Sequence, residues 1–202
     1  MKLTPLLSLL TLTTAVYAVP QSFDFKDPKG VNNAVFKLDA PLEAINGSAS
    51  GISGIVSFDP ENPAGTTGKI ILVTDSLTVS NPTQEKHLRS ANWLDVVKYP
   101  EITFEVDSFA NVKTDGNSTT ADATGTFVLH GVSKELTVPV KLTYLKDKLS
   151  DRVPNMKGDL LVIRANFSIN REDFNIQKGQ YEDKVSPTID LSLSIAGAAM
   201  TK

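Results

Sequence analysis

Strict alternation of apolar and polar residues is the feature that most constrains this chain. A period of two is typical of β-strands that bury one face and leave the other in water. The segment Leu136 to Leu142 alternates in this way, with Pro139 on the polar side. The final segment alternates too, and its apolar face consists of Ile189, Leu191, Leu193 and Ile195. A chain built from such segments has to cover one face of every strand.

About eight segments of this kind follow one another, separated by turn residues such as Asp59-Pro60 and Asp115-Gly116-Asn117. Ile45 to Gly54 carries three glycines between isoleucines, which favours a strand bent at its glycines over a flexible linker. Roughly eight antiparallel strands can close into a barrel that holds either packed side chains or one ligand. The prediction is an all-β fold with a single antiparallel barrel, and a two-sheet sandwich is the alternative.

One segment departs from the strand pattern. Lys86 to Leu94 predicts a short helix, and Pro100 prevents it from continuing because its ring forces Tyr99 into extended geometry. From Ile102 onward the period is two. A short helix directly before a strand fits a barrel better than a sandwich, since the helix could cover one open end of the barrel.

The first residues predict export. Met1 to Ala18 has a lysine at its start, a short apolar stretch and small residues before the expected cleavage point after Ala18. Residues 19–202 then form a single domain, with no later segment apolar enough to span a membrane. The chain has no cysteine, so its stability has to come from an ordinary core. The expected location is periplasmic or secreted.

Composition and motifs argue against several function classes. The net charge is -3 and the pI is about 5.4, which does not suit nucleic acid. No cysteine nucleophile, nucleotide-binding loop or hydrolase motif occurs, and the two histidines lie on different elements. We therefore predict that the protein is not an enzyme and uses no cofactor or metal. We expect His130 to bond a nearby carbonyl, and Arg171-Glu172-Asp173 to form surface ion pairs or a rim contact.

The remaining function of a small exported barrel is to hold something apolar. If the barrel is hollow, an enclosed lipid chain could bind there without any charged contact. If it is filled, the protein is a packed, ligand-free module for interaction or stress response. The predicted interior side chains are Phe36, Leu38, Phe58, Leu72, Leu77, Phe104, Phe127, Leu129, Val138 and Val140.

Four separated segments resemble the YceI-like family of exported proteins. They are KHLRSANWLDVVKYPEITF, SGIVSFDPENPA, FVLHGVSKELTVPVKL and REDFNI, and the resemblance runs from about Val35 to Ile195. It implies a lipocalin-like barrel of about eight strands with one short helix. It also implies binding of a polyisoprenoid or another long-chain amphiphilic lipid, with no cofactor and no reaction.

The resemblance also implies which residues bind the ligand. In the matching motifs the ligand-binding positions are Phe58, Leu88, Trp93, Phe104, Phe127 and Leu129, with His87 and Arg89 as head-group contacts. Ala49 departs from the family pattern, in which an aromatic residue often follows the glycine that matches Gly47. The resulting hypothesis is an exported carrier for an isoprenoid or fatty-chain lipid. The sequence leaves its oligomeric state open, a homodimer included.

Overall fold

The computed structural model describes residues 19–201, and it is dominated by antiparallel strands. The predicted export segment, Met1 to Ala18, lies outside the described residues. The strands are β1 (Gln21–Asp24), β2 (Asn33–Asp39), β3 (Ala44–Ala49), β4 (Ile52–Phe58), β5 (Thr67–Val73), β6 (Leu77–Val79), β7 (Glu101–Asp115), β8 (Ser118–Leu129), β9 (Val132–Leu145), β10 (Gly158–Asn170) and β11 (Thr188–Met200). The two helices are α1 (Pro82–Arg89) and α2 (Leu149–Arg152).

The strands close into an eight-stranded antiparallel barrel. Neighbouring strands follow the ring β1, β4, β5, β7, β8, β9, β10 and β11, and β11 pairs back to β1. The three other strands prolong members of this ring. β2 continues the position of β1 along β11, β3 continues that of β4, and β6 continues that of β5. The predicted barrel of about eight strands is confirmed, and the two-sheet sandwich is wrong.

Local sequence explains where the longer strands break. Gly51 stands at the junction of β3 and β4, and its N–H donates to the hydroxyl of Ser76 over 3.0 Å. A short turn, Thr74–Ser76, separates β5 from β6. The interruption at Gly51 agrees with the sequence prediction of a strand bent at its glycines. The interruptions at Gly51 and at Thr74–Ser76 face each other through this hydrogen bond, so β3 pairs with β6 on one side of them and β4 pairs with β5 on the other.

Pro139 lies inside β9, although proline cannot donate to a strand ladder. β9 pairs with β10 only from Val140 to Leu145, so Pro139 has just one neighbouring strand, β8. The missing N–H therefore breaks no hydrogen bond to β10.

The helical region differs from its prediction. α1 begins at Pro82, after Asn81 accepts hydrogen bonds from the N–H groups of Thr83 and Gln84, and ends at Arg89. The next residue, Ser90, is extended and directs both its N–H and its hydroxyl to the carbonyl of His87. The predicted extension to Leu94 is therefore wrong, and Trp93 and Leu94 lie in the turns that follow.

The two ends of the barrel differ. At one end lie the turn between β2 and β3, the segment from α1 to Pro100, and residues 171–187; we call this the mouth end. At the other end, which we call the closed end, lie residues 25–32, 59–66 and 146–157. Each end has its own apolar cluster. The cluster at the mouth end includes Leu94, Phe127 and Phe174, and the cluster at the closed end includes Phe23, Phe58 and Leu161.

Candidate functional site

An apolar cavity of about 950 Å³ occupies the barrel. Its wall consists of inward-facing residues of the barrel strands, because every second side chain of each strand points to the axis. The cavity reaches exposed residues at the mouth end, among them His87 and Lys184, so it opens there. Large apolar wall residues include Phe36, Leu72, Phe104, Phe109, Phe127, Val138, Val140, Phe167, Leu191 and Leu193. The completely filled interior, one of the two alternatives from the sequence, is contradicted by this cavity.

Two phenylalanines predicted from the sequence face each other across neighbouring strands. Phe104 of β7 pairs with Phe127 of β8, and both line the cavity. The ring of Phe127 also makes edge contacts with Phe167 and Phe174, with centroids 6.4 and 5.6 Å apart. These contacts hold the ring of Phe127 in the wall of the cavity.

The mouth is framed by two segments that touch each other. Trp93 packs against Tyr181, with ring centroids 5.9 Å apart. Beside this contact, the side-chain amide of Gln177 donates to the carbonyl of Asn92. The segment after α1 and residues 171–187 therefore meet across the entrance. The turn between β2 and β3 joins them through the N–H of Leu42, which donates to the carbonyl of Asp183 over 2.9 Å.

Arg171 holds residues 171–187 in shape. Its side chain is 1 % exposed, and its guanidinium donates to five backbone carbonyls within that segment. The accepting residues are Ile176, Gln177, Gln180, Val185 and Ser186. Burial lowers the pKa of the Arg171 guanidinium from its ordinary value, which is so high that the group stays charged. The predicted surface ion pair is therefore wrong, because Arg171 is an internal support of the mouth.

The structure brings six of the eight predicted binding residues to the cavity. They are His87, Leu88, Trp93, Phe104, Phe127 and Leu129. α1 and the turns after it supply the first three, and the barrel strands β7 and β8 supply the others. Segments far apart in the chain thus contribute to one surface.

Phe58 lies elsewhere. It is buried, as predicted, but it packs in the apolar cluster of the closed end and does not line the cavity. Its neighbour on the same strand face, Val56, does line the cavity. The alternation of β4 correctly places Phe58 inside the barrel, but the open space ends before it. Phe58 therefore lies beyond the cavity lining, and its role in binding stays a prediction.

Arg89 is also outside the cavity lining. Its guanidinium donates twice to the carbonyl of Leu77, from Nε over 3.2 Å and from a terminal nitrogen over 2.8 Å. The same group lies 3.3 Å from a carboxylate oxygen of Glu85 and 3.7 Å from one of Asp75. Arg89 therefore ties α1 to β6, and its role as a head-group contact stays a prediction.

The two histidines have separate surroundings. His130 Nδ1 lies 3.1 Å from the carbonyl oxygen of Phe174, which confirms the predicted bond to a carbonyl. Its ring also packs against Tyr99, with centroids 4.6 Å apart. His87 is exposed at the mouth. Among the side chains of residues 19–201, no three His, Asp or Glu residues lie together as a metal site would require.

Polar side chains that sequence reasoning missed surround the entrance. Glu43, Gln84, Gln180 and Lys184 line the cavity together with His87. They come from the β2–β3 turn, from α1 and from residues 171–187, and only the closed barrel shows that they are neighbours. An apolar cavity with a polar rim suits a molecule with a long apolar part and a polar head. Neither helix in the described part of the chain is long and apolar enough to cross a membrane.

Comparison with known proteins identifies relatives across most of the chain. A family model described as a YceI-like domain matches residues 28–196. The chain is 32 % identical over 151 residues to Protein YceI of Escherichia coli O157:H7, covering 75 % of this chain and 72 % of that protein. It is 32 % identical over 141 residues to a UPF0312 protein of Pseudomonas aeruginosa strain LESB58, covering 67 % and 71 %.

Solved structures share the fold at lower identity. BcnA of Burkholderia cenocepacia superposes with a TM-score of 0.63 at 20 % identity, covering 82 % of this chain and 94 % of that one. A domain from Saccharophagus degradans, described as polyisoprenoid binding, superposes with a TM-score of 0.64 at 13 % identity, covering 90 % and 99 %. At these identities the likeness establishes the barrel.

Proposed function

The chain belongs to the YceI-like family, and from this premise we propose that it binds a long-chain amphiphilic lipid, with a polyisoprenoid as the first candidate. The observation that carries the proposal is the open apolar cavity of about 950 Å³. The description of the Saccharophagus degradans domain as polyisoprenoid binding supports the choice of ligand. The proposed function is binding and carriage, without a reaction.

The size of the cavity suits a single chain. At roughly 30 Å³ for each heavy atom, the share that a water molecule takes in the liquid, about 30 chain atoms would fill it. At roughly 0.3 kcal/mol for each atom, this gain is about 9 kcal/mol, which corresponds to sub-micromolar affinity. An apolar wall can therefore hold such a ligand without a charged partner inside the barrel.

The polar head of the ligand would lie at the rim. His87, Gln84 and Lys184 are hydrogen-bond donors of the mouth end that also line the cavity. Arg89 is not part of this set, because its guanidinium is already used by Leu77 and two carboxylates. The chain would enter first, between Trp93 and the strands, and the head group would stay in contact with water.

The carrier would act outside the cytoplasm, in the periplasm or as a secreted protein. The support for this part is the sequence from Met1 to Ala18, with its lysine, apolar stretch and small residues. Intact-mass measurement of the exported protein tests it. A mass that begins at Val19 is expected, and a mass that still includes Met1 would contradict export by cleavage.

Mass spectrometry of an organic extract tests the ligand proposal. Purified protein should release a prenyl or fatty-chain lipid in about equimolar amount, and protein stripped of lipid should take up an added prenol. A matched pair of variants locates the binding. Ala165→Trp places a large side chain in the cavity wall, and Asn166→Trp places the same side chain on the exposed face of β10.

The expected result is loss of uptake in Ala165→Trp and normal uptake in Asn166→Trp. A protein that yields no lipid and takes up no prenol or fatty amide would overturn the proposed function. Equal uptake by both folded variants would show that the lipid binds outside the barrel.

A further inference from the structure

On four strands the cavity ends before the closed end of the barrel. On β4, β9, β10 and β11, the last inward residues that line it are Val56, Leu142, Ile163 and Leu193. On each of these strands the next inward residue toward the closed end lies two positions away. These four residues are buried or half-buried and do not line the cavity: Phe58, Tyr144, Leu161 and Ile195. These side chains therefore form a floor over this side of the barrel, whereas next to β5 the cavity extends to Thr66.

Three aromatic rings form one side of this floor and contact one another. Phe58 and Phe23 lie edge to face with centroids 6.5 Å apart, and Phe23 and Tyr144 do the same at 6.3 Å. Phe58 and Tyr144 complete the triangle at 6.1 Å. Phe23 and Phe58 are 0 % and 2 % exposed. Each ring is therefore held by the other two.

The third ring is anchored by a buried carboxylate of β10. The hydroxyl of Tyr144 donates to a carboxylate oxygen of Asp159 over 2.6 Å. The other carboxylate oxygen accepts the N–H of Asp147 over 2.7 Å. Burial and the bond to Asp159 raise the pKa of Tyr144 to about 12, so the hydroxyl remains a donor at ordinary pH. This anchor keeps the aromatic triangle from turning away when a chain presses on it.

We infer that Phe58 is the residue that limits the length of the bound chain, with Phe23 and Tyr144 holding its ring in place. The inference rests on the proposed function, and it deepens it by assigning a determinant of chain length. A chain that enters at the mouth end runs past Phe104 and Phe127 and stops at Phe58. A longer chain leaves its remaining atoms at the mouth in water, where they add no apolar contact.

Binding of prenols of increasing length tests the inference. Geraniol, farnesol, geranylgeraniol and longer prenols are titrated into lipid-free protein, and affinity is plotted against chain length. In the wild-type protein, affinity should rise with length and then level off. Phe58→Ala should move the levelling point up by about one isoprene unit, because a phenyl ring and an isoprene unit have similar volumes in a packed interior.

Three further variants keep the test valid even if Phe58→Ala does not fold. Phe58→Leu removes less volume and should give a smaller upward shift. Val56→Phe adds a ring in the last open layer and should move the levelling point down by about one unit. Tyr144→Phe keeps the ring but loses its bond to Asp159, so it should move the levelling point up by less than Phe58→Ala does.

The outcomes separate this inference from the proposed function. A wild-type protein that binds no prenol overturns both. A wild-type protein that binds prenols, with a levelling point that neither the folded Phe58 variants nor Val56→Phe move, overturns only the role of Phe58. Opposite shifts in Phe58→Leu and Val56→Phe are the result we expect.

Discussion

The rings of Trp93 and Tyr181 lie against each other across the mouth of the barrel, with centroids 5.9 Å apart. Trp93 belongs to the segment after α1, and Tyr181 belongs to residues 171–187. Trp93 also lines the cavity, and it is the only tryptophan of the chain. One side chain is therefore both part of the entrance and a fluorescent reporter of what enters.

Weakening this contact should speed ligand exchange. Tyr181→Ala removes an aromatic pair worth about 0.5 to 1.5 kcal/mol, so release of a bound prenol should become roughly 2- to 12-fold faster. Tyr181→Phe keeps the ring and should release the ligand at the wild-type rate. Stopped-flow measurement of Trp93 emission during competition by a second lipid gives both rates. Equal rates in all three proteins would show that the contact does not control access.

Replacing Arg171 should destabilise the mouth. Arg171→Met keeps much of the apolar volume but leaves five backbone carbonyls without their donor, and we expect a loss of about 3 to 5 kcal/mol in the free energy of unfolding. Urea unfolding measures this loss, and hydrogen exchange should rise mainly in residues 171–187. Arg164→Met is the matched control on the exposed face of β10, with an expected change within about 0.5 kcal/mol. A loss no greater than in the control would contradict the support role.

The barrel could be predicted from sequence because alternation is a local property. The apolar residues of β8, β9 and β11 repeat every second position, so any closed sheet of these strands puts Phe127, Val138 and Leu191 inside. Phe58 follows the same rule. Alternation does not show, however, that Phe58 lies beyond the end of the cavity. That position depends on its packing against the rings of Phe23 and Tyr144, which come from other strands.

The rim could not be predicted in the same way, because its contacts join distant parts of the chain. Arg89 and His87 are two residues apart and both have basic side chains, so the sequence alone does not distinguish their roles. The guanidinium of Arg89 donates to the carbonyl of Leu77, while His87 remains exposed at the cavity. Arg171 likewise looks like a surface residue beside Glu172 and Asp173. Only the fold of residues 175–187 around its guanidinium shows that it is internal.

Two neighbouring phenylalanines should respond differently to truncation. Phe127 lines the cavity, whereas Phe174 is 1 % exposed and does not. Phe174→Ala should cost about 3 to 5 kcal/mol, the usual range for a filled core, and Phe127→Ala should cost less because its ring already borders open space. Prenol affinity should fall more in Phe127→Ala. Urea unfolding and lipid titration of both variants make the comparison, and the reverse order of stabilities would contradict a hollow barrel.

Acid should weaken the closed end through Asp27. Burial alone would raise its pKa, but the N–H groups of Asn32, Lys29 and Val31 and the charge of Arg152 hold the pKa of Asp27 below its ordinary value. A carboxylate with a lowered folded-state pKa contributes stability that is fully present above about pH 4 and is lost as the pH falls through its folded-state pKa. Asp27→Asn should therefore be less stable at neutral pH and should lose less stability on acidification. Urea midpoints of both proteins between neutral and strongly acidic pH test this, and parallel curves would count against it.

Head-group recognition should depend on His87 and not on Arg89. His87→Ala removes a rim donor at an exposed site, so the preference for a prenyl phosphate over the matching prenol should fall by up to about fivefold, the range of an exposed contact worth less than about 1 kcal/mol. Arg89→Met removes the bonds to the Leu77 carbonyl, which should lower the unfolding midpoint and leave that preference unchanged. Calorimetric titration with both lipids, beside urea unfolding, distinguishes the two roles. If Arg89→Met lost the phosphate preference while His87→Ala kept it, the head group would lie on the α1 side that faces β6, and the proposed rim would be misplaced.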